Sequence, residues 1–486
     1  MPARIRQTTR SGLRGTLHWF ALALLLPTSL LAGGHTIKVP PPNGVDDTAV
    51  IQRALDEAVA KGPGTTVQLA AGKYLTQQLV TYNFHGTFKG EGKDKTILEA
   101  LPELLVNIPD FCLDVRMPNG TTNRWPSLII FVDGDIRVSD LVIKITATQG
   151  TATTPWLMCG GTYTNLIDVL RFMGQYTTHA RVDRIAIEGS PDDSPNSWGY
   201  NAWNGVMFAG ELPHIPYKFD LDYYFLSGTL AVRGSHFKSL NDGVCVDGFI
   251  QNAKVTLGGS PGEGNVTENT NVGFDMEAAE NSHFEISYNQ TMGNYAGMWI
   301  IPWLDPFVPS KPSQYSIHDN TFATSGPYAD GIYLWNDPSN PWIRGMIYHN
   351  TIEQKSDFMW AGIGAYNTKG TFLWNNTITG SGAAAIQLGG DEAVDTLCTV
   401  LGNHLRGFSA DPSFGLAQIH LGPATSHNLV VCASPLDTVL DEGTQNLIIG
   451  GWPQAKAPLG AARLRAIPGP SAFRRFPINR RPAPRK

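Results

Sequence analysis

Charge is scarce in this chain: Asp, Glu, Lys and Arg make up only 16% of its 486 residues. That argues against long, salt-bridged surface helices, and 51 glycines and 33 prolines favour frequent turns. Cysteine is scarce as well. The five, Cys112, Cys159, Cys245, Cys398 and Cys432, are odd in number and match no metal-binding spacing, so two disulfides are the most they could form. Long apolar runs are missing, with one exception. FALALLLPTSLLAGG, from Phe20 to Gly34, follows Arg4, Arg6, Arg10 and Arg14. The run is shorter than the roughly 20 residues of a membrane span. It ends in the small residues Ala32 and Gly34, so residues 1–34 read as an export signal cleaved before His35, with an uncleaved anchor as the alternative.

Basic residues are missing where a polyanion would need them. The chain carries a net charge of −6, yet Trp452–Lys486 holds nine Lys or Arg and no acid, and the signal holds four more. Residues 35–451 are left with −19. Such a body repels nucleic acid. The Pro-rich basic segment 452–486 reads as a disordered tail. Once the signal is removed no membrane span is expected, and the chain reads as a secreted or periplasmic monomer.

What the sequence does contain is repetition. ISYNQT, IHDNTF, IYHNTI, LWNNTI and VLGNHL share one register, with Asn289, Asn320, Asn350, Asn376 and Asn403 at intervals of 31, 30, 26 and 27 residues. Between them runs a second series, GVCVD, GFDME, GMWII, GIYLW, GIGAY and AIQLG, with QIHLG as a further copy. Each is a short strand with an inward apolar residue at every second position. Units of this length cannot bury their apolar side alone, but stacked coils about 4.8 Å apart can. The recurrent Asn is expected to stack at one corner and bond the backbone there.

One helical pattern precedes the repeats. In NGVDDTAVIQRALDEAVAKGPGTTVQLAAGKYL, Val50, Ile51, Ala54, Leu55, Ala58 and Val59 form an apolar stripe. Asp47 or Thr48 can cap its start and Gly62-Pro63-Gly64 stops it. The open end of a strand stack needs cover, and this helix is expected to supply it. The repeats predict an all-β solenoid over residues 35–451 with an N-terminal capping α-helix.

DDTAVIQRALDEAV, TTVQLAAGKYL and FKGEGKDKTIL together resemble the N-terminal segment of the pectate-lyase superfamily of right-handed parallel β-helix proteins, over about residues 43–98. The resemblance implies that fold, and a secreted protein acting on polysaccharide by lyase, hydrolase or epimerase chemistry. It does not carry catalytic residues across. LNDGVCVDG, from Leu240 to Gly248, is the nearest match to a pectin-hydrolase motif, and no arginine stands out as a lyase base.

The strand register yields candidate site residues. One outward column should run Cys245, Asp275, Trp299, Tyr333, Gly364, Gln387 and His420. A second should run Asp247, Glu277, Ile301, Trp335, Tyr366 and Gly389. Asp247, Asp275 and Glu277 would then cluster on two adjacent coils, about 5–7 Å apart. Carboxylates that close raise one pKa or bind a cation, so the cluster supplies either an acid–base pair or a calcium site. Carboxyl separations in that range fit retention and inversion alike. Trp299, Tyr333, Trp335 and Tyr366 would form an exposed strip on which sugar rings stack. The excursion SPNSWGYNAWNGVMFAGELPHIPYKFDLDYYF would either wall a groove or pack on the coil flank. The leading expectation is polysaccharide cleavage by lyase or glycoside hydrolase chemistry, with calcium at Asp247, Asp275 and Glu277 as the one cofactor in question. The alternative is a non-catalytic carbohydrate-binding or surface scaffold.

Overall fold

The computed structural model describes residues 34–101, 114–116, 122–124, 127–145, 168–192, 199–200, 202–210, 226–247, 250–302, 311–325, 330–336, 344–355, 361–390, 394–408 and 417–453. The export-signal reading of 1–34 and the tail reading of 452–486 lie almost wholly outside them. Among the described residues no helix is long and apolar enough to cross a membrane.

Short parallel strands stack into three columns, as the repeats predict. The first column carries the candidate site. It starts in Leu79–Lys89, Ser127–Ser139 and Asp168–Asp183 and continues through Asn204–Gly210, Asp242–Asp247, Val272–Glu277, Ala296–Ile301, Ile332–Trp335, Ala361–Tyr366, Ala384–Leu388 and Ile419–Leu421. The second includes Leu226–Arg233, Ile250–Gly258, His283–Ser287, Gln314–His318, Arg344–Tyr348 and Phe372–Trp374. The third is an eleven-stranded sheet from Gly72–Thr76 to His404–Gly407. The long strand Asp168–Asp183 serves two columns. Residues 170–174 pair with Asn204–Gly210 and residues 177–183 with Leu226–Arg233. The register shifts between Met173 and Thr178, where the strand bends from one face to the next. The sequence reading took Asn204–Gly210 for part of a loop excursion; it is a strand of the first column, buried along its whole length.

The core fills the space between the columns. Val244, Val246, Phe274, Met276, Met298, Ile300, Ile332, Leu334, Ile363, Ile386 and Leu388 are all fully buried. Like residues stack on like from coil to coil: the Phe131 and Phe172 rings lie 5.8 Å apart and nearly parallel, and those of Phe284 and Tyr315 4.6 Å apart.

The glycine that recurs near the start of several strands of the first column has a steric cause. A methyl group on Gly243, Gly273 or Gly331 would come within 2.6 Å of the carbonyl oxygen of Gly273, Gly297 or Gly362. Backbones at this edge approach too closely for any Cβ.

The asparagine ladder forms as expected and starts one coil earlier than predicted. Asn265, Asn289, Asn320, Asn350 and Asn376 each donate both backbone N–H and side-chain Nδ2 to Oδ1 of the ladder residue on the next coil, ending at Asn403, over 2.9–3.1 Å. Nδ2 of Asn289, Asn320, Asn350, Asn376 and Asn403 also donates to a backbone carbonyl of the previous coil, at Leu257, Ile286, Ile317, Ile347 and Leu373. The residue before each, Tyr288, Asp319, His349, Asn375 or Gly402, has φ between 50° and 61°, and that left-handed step turns the corner.

The helix Thr48–Lys61 packs on the strands Thr36–Val39, Thr65–Leu69 and Leu79–Lys89. Its buried face, Ile51, Ala54, Leu55 and Ala58, joins the continuous core. Asp47 precedes the helix but does not cap it: its carboxylate accepts the N–H groups of Asn43 and Leu75 instead, tying the helix start to the third column. Of the predicted stripe, Val59 lies 36% exposed and is not core.

Candidate functional site

The outward residues of the first column line up in the predicted register. Cys245 pairs with Asp275, Asp275 with Trp299, Trp299 with Tyr333, Tyr333 with Gly364, Gly364 with Gln387 and Gln387 with His420. In the second outward line, Glu277 pairs with Ile301 and Trp335 with Tyr366. Alternation along a strand therefore puts Asp275 and Glu277 on the same side, with Met276 turned into the core.

The acids converge on Cys245. Its thiol pKa is pushed well above the ordinary value, first by complete burial and then by the charges of Asp275, Asp247, Asp242 and Glu277. A carboxylate oxygen of Asp242, one of Asp275 and Sγ of Cys245 lie within 4.8 Å of one another. Burial and the surrounding carboxyl groups both favour the neutral thiol at Cys245 over the thiolate. Among the described residues Cys245, Cys398 and Cys432 are all free thiols; Cys112 and Cys159 lie outside them.

Three residues absent from the sequence reading complete the cluster. Arg171, Asp168 and Asn204 come from the two coils before Cys245, and Arg171 and Cys245 both pair with Met207 in register. Nη1 of Arg171 meets Oδ2 of Asp168 at 2.8 Å, and Nδ2 of Asn204 donates to Oδ1 of Asp168 at 2.8 Å. All three side chains are buried. Burial raises the pKa of Asp168 and the Arg171 guanidinium opposes that shift, while Asp247 adds to it. Asp242, the fourth acid around the thiol, is held at Oδ2 by Nδ2 of Asn241 at 3.0 Å.

Calcium at Asp247, Asp275 and Glu277 can be judged by the donors. Calcium takes oxygen ligands. The ligand atoms that meet here belong to Asp242, Cys245 and Asp275, a set that shares only Asp275 with the predicted one and includes a thiol. That combination suits calcium poorly.

The aromatic strip exists, but it is not the open face predicted for it. Trp299 and Tyr333 contact edge to face, with centroids 6.4 Å apart, and Tyr333 and Tyr366 lie 5.5 Å apart. Tyr333, Trp335 and Tyr366 are 3%, 8% and 1% exposed, whereas Trp299 is only partly buried. Of the seven predicted site residues, only Asp247 and Trp299 are partly open; Asp275 and Glu277 are buried. Outward aromatics bury themselves here by packing on one another and on a buried acid. Asp330 sits beside Tyr366, its Oδ1 accepts the Ala361 N–H, and burial pushes its pKa to about 8. Tyr333 and Tyr366 are likewise raised well above the ordinary phenol value by burial and by Asp330. His420, at the end of the column, is buried and meets Oε2 of Glu442 at 3.0 Å. In the aromatic excursion Tyr200 is buried and Trp203 half-buried; Trp198, Tyr217, Tyr223 and Tyr224 lie outside the described residues.

Residues 42–196 match the protein family described as rhamnogalacturonase A/epimerase, pectate lyase-like. No curated protein matches the chain significantly. Among solved structures, a mutant DFA-IIIase from Arthrobacter chlorophenolicus A6 in complex with DFA-III is 10% identical with a TM-score of 0.54; the match covers 86% of this chain and 99% of that one. The Dettilon tailspike protein is 13% identical with a TM-score of 0.51, over 82% of this chain and 69% of that one. The A-module of the Azotobacter vinelandii mannuronan C-5 epimerase AlgE6 is 12% identical with a TM-score of 0.48, over 85% and 96%. At such identities the likeness to the first two is one of fold.

Proposed function

Because this chain is a pectate-lyase-like parallel β-helix protein, we propose that it is a carbohydrate-active enzyme that cleaves an extracellular polysaccharide on the outer face of the first strand column. One observation carries the reading: four carboxyl groups gather around Cys245, and one of them, Asp275, stands in register beside the partly open Trp299. Acid–base chemistry on a sugar needs paired carboxyls of unlike environment. Asp247, the open one, meets substrate; Asp275 and Glu277, buried beside it, complete the acid–base set. Trp299 offers a ring for sugar stacking, with Tyr333, Trp335 and Tyr366 packed behind it. Asp168 and Arg171 position the cluster from the coils below. The charge of −19 on residues 35–451 favours a glycan of low charge.

In the same reading, residues 1–34 direct export and are removed, the helix Thr48–Lys61 covers the first coil, and residues 452–486 are a tail outside the catalytic body. The protein works as a monomer.

Purified protein screened against a panel of neutral and acidic polysaccharides tests this. New reducing ends without unsaturated sugars mean hydrolysis, and unsaturated products mean β-elimination; a chelator arm tests for calcium. Asp275→Asn, which is nearly isosteric, should lower turnover by about 10²–10⁴-fold while leaving the circular dichroism spectrum unchanged. Binding without product on every glycan would replace the enzyme reading with that of a carbohydrate-binding scaffold.

A further inference from the structure

The second column changes character along its length. Its outward residues are polar at His283, Glu285, Gln314 and Ser316, and from Met346 onward they turn apolar. The strands Arg344–Tyr348, Phe372–Trp374, Thr399–Leu401, Leu429–Val431 and Leu447–Ile449 pair in register, and from Met346 on every outward residue is apolar or aromatic except Thr399. Met346, Trp374, Leu447 and Ile449 are 51%, 39%, 58% and 50% exposed. Alternation turns Ile347, Leu373, Val400 and Val430 into the core, so these strands carry a second apolar face on their outer side. A contiguous exposed face of this kind marks a contact surface.

We propose that the C-terminal segment 454–486 docks across this face, laying Leu464, Ile467, Phe473 and Phe476 over Met346, Trp374 and Leu447. The face begins in mid-column and runs to the end of the stack, where the chain leaves it. Trp452–Pro453 pairs with Thr438 and Val439 in the first column, and beyond Val439 the chain crosses to the second column at Leu447. A chain that leaves at Pro453 in the same direction is headed for the face. The size also fits a segment better than a subunit. Five coils about 4.8 Å apart and strands of three residues give a face about 20 Å by about 10 Å, or about 200 Å² in plan, well short of the about 800 Å² that each partner of a stable dimer contributes. About six extended residues cross 20 Å, and 33 residues follow Pro453. Charge agrees: residues 407–453 hold four acids and no Lys or Arg, whereas 454–486 holds nine Lys or Arg and no acid. Too poor in apolar residues to build a core of its own, the segment orders only against this face. The proposal is independent of the carbohydrate reading.

Oxidation of methionine by hydrogen peroxide reads the cover, because it follows solvent access. Met346, in the face, is 51% exposed, and Met292, on the third column, is 36% exposed. Left bare, Met346 oxidises at least as fast as Met292; under the docked segment it oxidises several-fold more slowly. Peptide mass spectrometry on the full-length protein measures both rates. Leu464→Ser, Ile467→Ser, Phe473→Ser and Phe476→Ser in one chain should bring Met346 up to the Met292 rate or beyond, with Met292 and the circular dichroism spectrum unchanged. Should that chain fail to fold, Phe473→Ser with Phe476→Ser is the milder variant, and the same direction of change is expected. Wild-type Met346 that oxidises as fast as Met292 overturns the proposal. So does protection that survives the substitutions in a folded variant. Protection that fades on dilution, with a dimer mass in light scattering, gives the face to a second copy of the chain and overturns it too.

Discussion

Arg171 holds Asp168 across 2.8 Å, three residues back along the same strand, and both side chains are buried. A buried charge without its partner is far more costly than a pair replaced as a whole. Arg171→Met should therefore destabilise the protein by about 3–5 kcal/mol, read as a lower urea midpoint. Adding Asp168→Asn should recover a large part of the loss. A double variant no more stable than Arg171→Met alone would show that uncompensated charge is not the cause.

The ladder makes a separate demand. Asn320 accepts from the N–H and Nδ2 of Asn289 and donates to Ile286 O and to Oδ1 of Asn350. Asn320→Ala takes a partner from the buried N–H of Asn289 and from the carbonyl of Ile286, both on the preceding coil. With each unmet group worth about 1–3 kcal/mol, the expected loss is about 2–6 kcal/mol. Equilibrium unfolding in denaturant measures it, and a loss under about 1 kcal/mol would mean that water replaces the ladder at low cost.

Stability should fall as pH rises toward 8. Asp330 and Asp395 both have pKa values raised to about 8 by burial, and Asp395 is partly relieved by Thr368. Unfolded Asp titrates near 3.9. Below about 3.9 both states hold the proton and pH has no effect through these groups. Between there and about 8 the folded state keeps protons that the unfolded state has lost, so each rise in pH favours unfolding; above 8 the effect levels off. Asp330→Asn with Asp395→Asn should flatten the fall in denaturation midpoint between pH 5 and pH 8. An equally steep fall in that variant would place the titration elsewhere.

The corner asparagines and the outward columns were readable because a coil stack turns sequence period directly into spatial register. Asp275 next to Trp299 followed from counting. Asn265 was missed because it precedes the series by a shorter interval of 24 residues. Arg171 and Asp168 were missed because their strand, DVLRFMGQYTTHARVD, runs across two faces and lacks the opening glycine that marks the later copies. The ion pair left a trace in the spacing of an acid and a base three apart in an otherwise apolar run. Exposure was not readable at all. Whether an outward tyrosine stands in water depends on what folds over it, and a strand repeat carries no record of that; Tyr366 covering Gly364 is the plainest instance.

The backbone N–H groups of the corner asparagines all point one way, each reaching for an oxygen that comes about 24–31 residues later in the chain. The stack therefore has a direction of growth. A nascent chain leaving the ribosome is always waiting for its newest coil to be finished by the one still being made. A chain broken within the ladder would lose the oxygen that its last corner amide reaches for.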